Sequence, residues 1–132
     1  WNFNLLYIEK LPSRDVSPDD TAWKEECVAH AAEMKNFLED ARAILEAKGA
    51  PPEAITETYI TSCQSPLVDG TSTRCSPGTS IALEIIERAR EGGYGTLVIG
   101  RRGVSKSEAF LFGSVSNKII HHAKNCSIWV VS

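Results

Sequence analysis

Hydrophobic residues along the chain alternate between short continuous runs and stripes with helical spacing. Short apolar runs are typical of strands covered on both faces, and stripes of period three to four are typical of amphipathic helices. The runs predict four strands, over residues 3–8, 55–61, 96–99 and 127–131. Three stripes lie between these runs. The predicted order of elements is therefore β-α-β-α-β-α-β.

The first stripe predicts one long helix with signals at both ends. Ser17 is suited to the capping position, and Pro18 fits the first helical position. Gly49 and the two prolines behind it end the helix. The apolar face follows in steps of three or four: Trp23, Cys27, Ala31, Met34, Leu38, Ala41 and Leu45.

The alternating order favours one α/β domain over residues 1–132, with an open, mostly parallel sheet and helices on both faces. Residues 64–77 form a long Ser-, Thr-, Pro- and Gly-rich loop, interpreted as an insertion or a lid. The sequence shows no internal repeat. The pattern predicts that Gly100 ends a strand at its carboxyl side and that four residues are buried in the sheet: Leu5, Leu6, Val98 and Ile99.

Composition and charge narrow the class of protein. The 132 residues are 42% hydrophobic and 23% charged, as in ordinary globular proteins. The net charge is −3 and basic residues form no block, which argues against a nucleic-acid partner. No apolar run approaches the length of a membrane span, and none resembles a signal peptide. We therefore expect a cytoplasmic protein with no membrane partner.

The four cysteines favour reduced thiols over a metal site. Cys27, Cys63, Cys75 and Cys126 include no CxxC pair and have no histidine at zinc-ligand spacing. Cys63 and Cys75 flank one loop and are candidates for a bridge, but scattered cysteines in a chain of this size are more often reduced. The chain opens at Trp1 without an initiator Met, which indicates a fragment or an unrepresented beginning.

Glycines follow the third predicted strand and recur where the last helix begins. They form the pattern Gly-x2-Gly-x9-Gly-Ser, from Gly100 and Gly103 to Gly113 and Ser114. Ligands of parallel sheets sit beyond the carboxyl ends of strands, glycine lets the backbone approach a ligand, and a helix start attracts anions. The pattern predicts a phosphate site, although ordinary turn and cap chemistry explains single glycines equally well.

Side chains around these glycines add donors and charge. Serine hydroxyls and arginine guanidinium groups are suited to a phosphate tail. Neither a GxxxxGKS/T loop nor a complete GxGxxG fingerprint occurs. The candidate nucleotide-binding residues are Gly100, Arg101, Arg102, Gly103, Gly113, Ser114, Val115 and Ser116.

This spacing, between TLVIGRRG and GSVSNKIIHHAKNCSIWVV, resembles the nucleotide motif of the universal stress protein family. The likeness extends from Asn2 onward and is strongest after Gly95. It implies a Rossmann-like three-layer fold of the adenine nucleotide alpha hydrolase type. It also implies ATP as ligand, with or without Mg²⁺, and a homodimer formed through Ser127–Val131.

The sequence departs from the family at its beginning. Family members open with a strand, a turn with an acidic residue that contacts the nucleoside, and a helix. That unit would precede Trp1 and is absent from the sequence. Asp69 lies in a segment that looks like the turn but has the wrong place in the order, so we interpret it as coincidence. Either the unit lies upstream, or the site is incomplete and lacks nucleotide.

Two classes of function follow. The first is an ATP-binding stress or signalling module, at most a slow ATPase because no general base or metal carboxylate is evident. The second is a nucleotide-free dimeric interaction module on the same fold. His30, His121 and His122 form no catalytic set, and the last two suit the negative end of a helix. The aromatic residues on apolar faces suit a core or an interface: Trp23, Phe37 and Trp129.

Overall fold

A computed structural model describes residues 1–14, 19–68, 74–100 and 113–131. The chain divides into two compact units, residues 1–78 and residues 79–132. Each unit contains one parallel pair of strands. The predicted α/β class and the parallel strands are confirmed, while the described strands form two two-stranded sheets where the pattern predicted one open sheet.

Helices and strands alternate in the predicted order. The 3-10 turn Pro52–Ala54 was not predicted, and its first residue is a proline whose fixed φ suits a helical start. None of the described helices is both long and apolar enough to cross a membrane. The elements are β1 Phe3–Ile8, α1 Asp20–Ala47, β2 Ile55–Ile60, α2 Ile81–Glu91, β3 Thr96–Gly100, α3 Ser114–His122 and β4 Ser127–Val131.

The first unit is built on the parallel pairing of β1 with β2. The register runs from Phe3 opposite Ile55 to Ile8 opposite Ile60. The amide of Asn4 donates hydrogen bonds to the hydroxyl oxygens of Thr56 and Thr58 on the neighbouring strand, at 3.2 and 2.9 Å. Cross-strand side-chain bonds of this kind add to the backbone ladder and hold the register of the pair.

Helix α1 contacts both strands of this pair. The predicted apolar face is confirmed by the buried residues Trp23, Cys27, Ala31 and Leu38. Phe37, in contrast, is exposed, so it is not part of the core of the first unit. Asp19, and not Ser17, is the N-cap, because its carboxylate accepts the N–H of Thr21. Ser17 and Pro18 lie outside the described residues.

Arg42 ties the end of α1 to the start of β2. Its guanidinium donates to the carbonyl oxygens of Ile55 at 2.9 Å and Pro52 at 2.8 Å. It also pairs with Glu46 one turn along the helix, at 3.0 Å. The helix itself ends where the sequence predicted, since Gly49 has φ 102° in the left-handed region.

Cys63 and Cys75 form a disulfide, with their Cα atoms 4.8 Å apart. The prediction that all four cysteines are reduced is therefore wrong for this pair. The reason is that the predicted loop returns on itself, so that Ser76 forms a parallel bridge with Ser62 and brings the two neighbouring cysteines together. Cys27 and Cys126 are free thiols.

The second unit contains β3, β4 and two helices that pack on each other. Ser80 caps α2 by accepting the N–H of Leu83. The packed centre is made of small or branched apolar side chains: Ala82, Ala89 and Ile119, the last with no exposed surface. Strands β3 and β4 pair in parallel from Thr96 opposite Ser127 to Gly100 opposite Val131. Gly100 thus ends β3 at its carboxyl side, as predicted.

The four strand residues predicted to be buried are more exposed than expected. Leu5, Leu6 and Ile99 are half-buried, and Val98 is 61% exposed. Side chains alternate across a sheet, so Val98 lies on the face opposite Leu97 and Ile99, together with its register partner Trp129. Within the described residues that face is uncovered, and Trp129 is 57% exposed.

Candidate functional site

The candidate site lies where β3 ends and α3 begins. Gly100 is the last residue of β3, and Gly113 is the N-cap of α3. The carbonyl of Gly113 accepts the first hydrogen bond of the helix, from the N–H of Asn117 at 2.9 Å. Glycine at this position keeps side-chain atoms away from the first N–H groups of the helix, because it has no Cβ.

Ser116 joins the two halves of the glycine pattern. Its hydroxyl donates a hydrogen bond of 2.6 Å to the carbonyl oxygen of Gly100, and the residue is only 6% exposed. The start of α3 is therefore fixed against the carboxyl end of β3. The hydroxyl hydrogen is used in this bond, so Ser116 positions the helix start, whereas the sequence suggested a direct donor to ligand.

The N terminus of α3 differs from those of α1 and α2. Asp19 and Ser80 cap the other two helices with side-chain oxygens, and each of those helices has an acidic residue in its first turn. Helix α3 has neither a side-chain cap nor an acidic residue there. Its first N–H groups and the positive end of its dipole lack both of these negative partners, which suits an anion.

Ser114 and Val115 complete the described part of the site. Both are exposed at the first turn of α3. Arg101, Arg102 and Gly103 were also predicted to contribute, and they lie outside the described residues, as does Asp69. The structure therefore brings together five predicted residues, Gly100, Gly113, Ser114, Val115 and Ser116, on two neighbouring elements.

The remaining chemistry-bearing residues are dispersed. His121 and His122 are exposed at the C-terminal end of α3, where the sequence placed them. His30 shares a hydrogen bond of 2.9 Å with the hydroxyl of Tyr7. Among residues 1–14, 19–68, 74–100 and 113–131, no three His, Cys, Asp or Glu side chains cluster as metal ligands would.

A buried carboxylate at the end of β1 was missed by the sequence reasoning. Glu9 follows β1 directly, is 2% exposed, and accepts hydrogen bonds from the Tyr59 hydroxyl at 2.5 Å and the Ser62 N–H at 3.0 Å. Burial, and then the bond to Glu9, raise the pKa of Tyr59, so this phenol keeps its proton and continues to donate. The available signal was an acidic residue immediately behind an apolar strand.

The protein has parallel strands that alternate with helices, and a hydrogen bond joins the start of α3 to the end of β3. These features define an α/β protein of the Rossmann-like class. Residues 76–132 match the sequence model of the Universal stress protein family. The resemblance seen in the glycine pattern is thus confirmed over this segment, which makes up less than half of the 132 residues. Neither the curated proteins nor the solved structures gave a match.

Proposed function

We propose that the chain is a universal-stress-type module that binds an adenine nucleotide, ATP, at the start of α3. One observation carries this proposal. The hydrogen bond from Ser116 to the carbonyl of Gly100 holds the N terminus of α3, which has no side-chain cap among the described residues, at the carboxyl end of a parallel strand. Parallel sheets bind ligands at this edge, and helix N termini bind phosphate.

The phosphate groups lie on the turn formed by Gly113, Ser114 and Val115 in this proposal. Backbone N–H groups of the first turn donate to them, and the exposed Ser114 hydroxyl adds another donor. Each hydrogen bond to a charged group contributes about 1.5 to 3 kcal/mol, so a few such bonds determine the affinity. Arg101, Arg102 and Gly103 would contribute from the segment between the strand and the helix, and Mg²⁺ would accompany the phosphates.

The role is binding and signalling, with hydrolysis slow or absent. The described residues at the helix start supply hydroxyl and N–H donors, and these are neither general bases nor metal ligands of the usual carboxylate type. The match of residues 76–132 to the universal stress protein family supports a stress-related role for this segment. If the bound nucleotide is not rapidly hydrolysed, the fraction of protein that carries it depends on the nucleotide concentration, which suits a signalling role.

Replacing Gly113 with Val tests the phosphate site. The φ of Gly113 is −66°, which Val also adopts, so the new side chain should obstruct the helix start without straining the backbone. We expect ATP affinity to fall by about tenfold or more, the equivalent of one lost hydrogen bond to charge, with little change in melting temperature. Calorimetric titration of ATP, together with thermal unfolding, measures both quantities.

Gly95 offers the matched control. It precedes β3 at the opposite end of that strand, and a Cβ added there meets no atom within 4 Å. Gly95→Val should therefore leave ATP affinity unchanged. Equal losses in the two variants would contradict the phosphate assignment. A wild-type chain that neither carries adenine after denaturation nor binds ATP would instead support the interaction module.

That second candidate, a nucleotide-free homodimer formed through Ser127–Val131, is supported by the surface of β4. Among the described residues, β4 pairs only with β3, and it contains neither Pro nor a charged residue to protect its other edge. Trp129 and Val131 on this strand are exposed. An unprotected apolar edge strand of this kind is suited to pairing across a twofold axis.

Val130→Lys should convert dimers to monomers in light scattering, because a charge on the edge strand opposes pairing. Ile120 on α3 has the same 37% exposure as Val130 and gives a matched control. Ile120→Lys should leave the mass unchanged. A monomeric wild type, or a Val130→Lys variant with unchanged mass, would contradict the dimer.

A further inference from the structure

The Cys63–Cys75 disulfide lies at the surface of the first unit. It joins residues 12 positions apart and closes the loop that the sequence interpreted as an insertion. The two ends differ in accessibility, since Cys63 is exposed and Cys75 is half-buried. A disulfide at the surface can exchange with thiols in solution, and attack is favoured at the cysteine of the more exposed residue.

Beside the disulfide lies a short parallel bridge that extends β2. The N–H of Cys63 donates to the carbonyl of Ser76, and the N–H of Ser76 donates to the carbonyl of Thr61, both at 2.8 Å. Ser62 and Ser76 face each other in this bridge and are both buried. The crosslink therefore adjoins two backbone hydrogen bonds that join distant parts of the chain.

One residue of this bridge, Ser62, also contacts the buried carboxylate of Glu9 at the end of β1. Ser62 lies between the disulfide and Glu9, and its N–H donates to the Glu9 carboxylate at 3.0 Å. Tyr59 supplies the other donor and lies on β2 itself, before the bridge. Among the described donors to Glu9, then, Ser62 is the one that lies next to the disulfide.

We propose that Cys63–Cys75 is a reversible thiol–disulfide switch, attacked at Cys63 by a small thiol, whose opening loosens the Ser62–Ser76 bridge and leaves the β1–β2 ladder intact. The thiolate bonds to Sγ of Cys63, the Cys63–Cys75 bond breaks, and Cys75 leaves with the electron pair and takes a proton. A second thiolate then attacks the added sulfur. It releases the Cys63 thiolate, which is protonated, and a small-molecule disulfide, so that two thiols are oxidised as one protein disulfide is reduced.

Reduction of the disulfide should loosen the bridge alone, because other hydrogen bonds stabilise the β1–β2 ladder. Asn4 bonds to Thr56 and Thr58 across the strands, and Arg42 holds the start of β2. These contacts lie outside the crosslinked loop. The bridge, in contrast, joins segments that a disulfide brings together, and closing a loop of this length favours the closed state by up to about a hundredfold.

Amide hydrogen exchange measured by NMR tests the switch. The three samples are the oxidised chain, the chain reduced with a dithiol, and the Cys63→Ser/Cys75→Ser variant. We expect exchange of the backbone amides at positions 63 and 76 to rise about tenfold to a hundredfold in the last two samples, while β1 and β2 amides change by less than about twofold. Cys126→Ser, which removes a thiol outside the pair, should match the oxidised wild type. Unchanged exchange at the bridge would overturn the proposal, and so would equal acceleration throughout the unit, since that would mean that the disulfide stabilises the whole unit.

The site of attack is tested separately. Oxidised chain is mixed with 2-mercaptoethanol, quenched with acid, and mapped by peptide mass spectrometry. We expect the mixed disulfide predominantly on Cys63, because Cys63 is the exposed partner. An adduct found equally on both cysteines, or mainly on Cys75, would overturn the assignment of Cys63.

Discussion

Ile119→Ala should destabilise the second unit by about 3 to 4 kcal/mol. Ile119 has no exposed surface and lies on α3, which packs against α2. Truncating a fully buried Ile removes its transfer free energy and leaves a cavity that the neighbours fill only partly, with a usual cost of about 2 to 5 kcal/mol. Urea denaturation followed by circular dichroism gives the free energy of unfolding.

The next residue along the chain gives an unusually close control. Ile120 is on the same helix and 37% exposed, so Ile120→Ala makes the same chemical change at a position already in contact with water. Its cost should be about 1 kcal/mol or less. Equal losses at positions 119 and 120 would mean that the packing of α3 differs from the structure described.

Glu9→Ala should destabilise the first unit by about 3 kcal/mol. The carboxylate accepts hydrogen bonds from Tyr59 and Ser62, and its removal leaves a phenol and a backbone N–H without this acceptor. Ser62 is buried and Tyr59 is half-buried. A buried donor left unsatisfied costs about 1 to 3 kcal/mol and a half-buried one costs less, while the relieved desolvation of the carboxylate offsets part of the loss. Chemical denaturation again measures the change.

Two companion variants separate the buried network from a general effect of charge. Glu57→Ala removes an exposed carboxylate from the middle of β2 and should change stability by about 0.5 kcal/mol or less. Tyr59→Phe removes one donor to Glu9, so the double variant Glu9→Ala/Tyr59→Phe should lose less than the sum of the single losses. Strict additivity would show that Glu9 and Tyr59 are not coupled.

The fold was largely predictable because its elements carry local signals. The stripe from Trp23 to Leu38 predicts α1, and its buried residues are those of the predicted face. The end of that helix at Gly49 and the bounds of β4 at Ser127–Val131 also follow from the residues themselves. Such signals depend on neighbours in the sequence, which are visible without the structure.

Features that depend on distant residues were missed. The Cys63–Cys75 bond requires the loop to return beside Ser62, which no local pattern specifies. The exposure of Val98 depends on which face of β3 is covered, and a continuous apolar run gives no alternation from which to infer it. Glu9 is buried beside two donors that come from later in the chain, and no local pattern specifies that they meet.

Binding at the candidate site stays a prediction, whereas the elements that carry two of its glycines were predictable. Gly100 and Gly113 mark the strand end and the helix start, and the family match confirms the relationship that their spacing suggested. The role of Ser116 was different from the one suggested, since its hydroxyl bonds to the backbone of Gly100. A hydroxyl is both donor and acceptor, so its partner follows only from the placement of α3 against β3.

The parallel pairing of β1 with β2 has a consequence for the nascent chain. Asn4 reaches Thr56, 52 positions further on. At a synthesis rate of about 5 to 20 residues per second, the apolar run of β1 is made about 3 to 10 seconds before its partner strand. During that interval α1, which is stabilised by local contacts, can already form, whereas β2, the strand that pairs with β1 in the structure, has not yet been made. The β1–β2 ladder of the first unit therefore forms only after translation has passed β2.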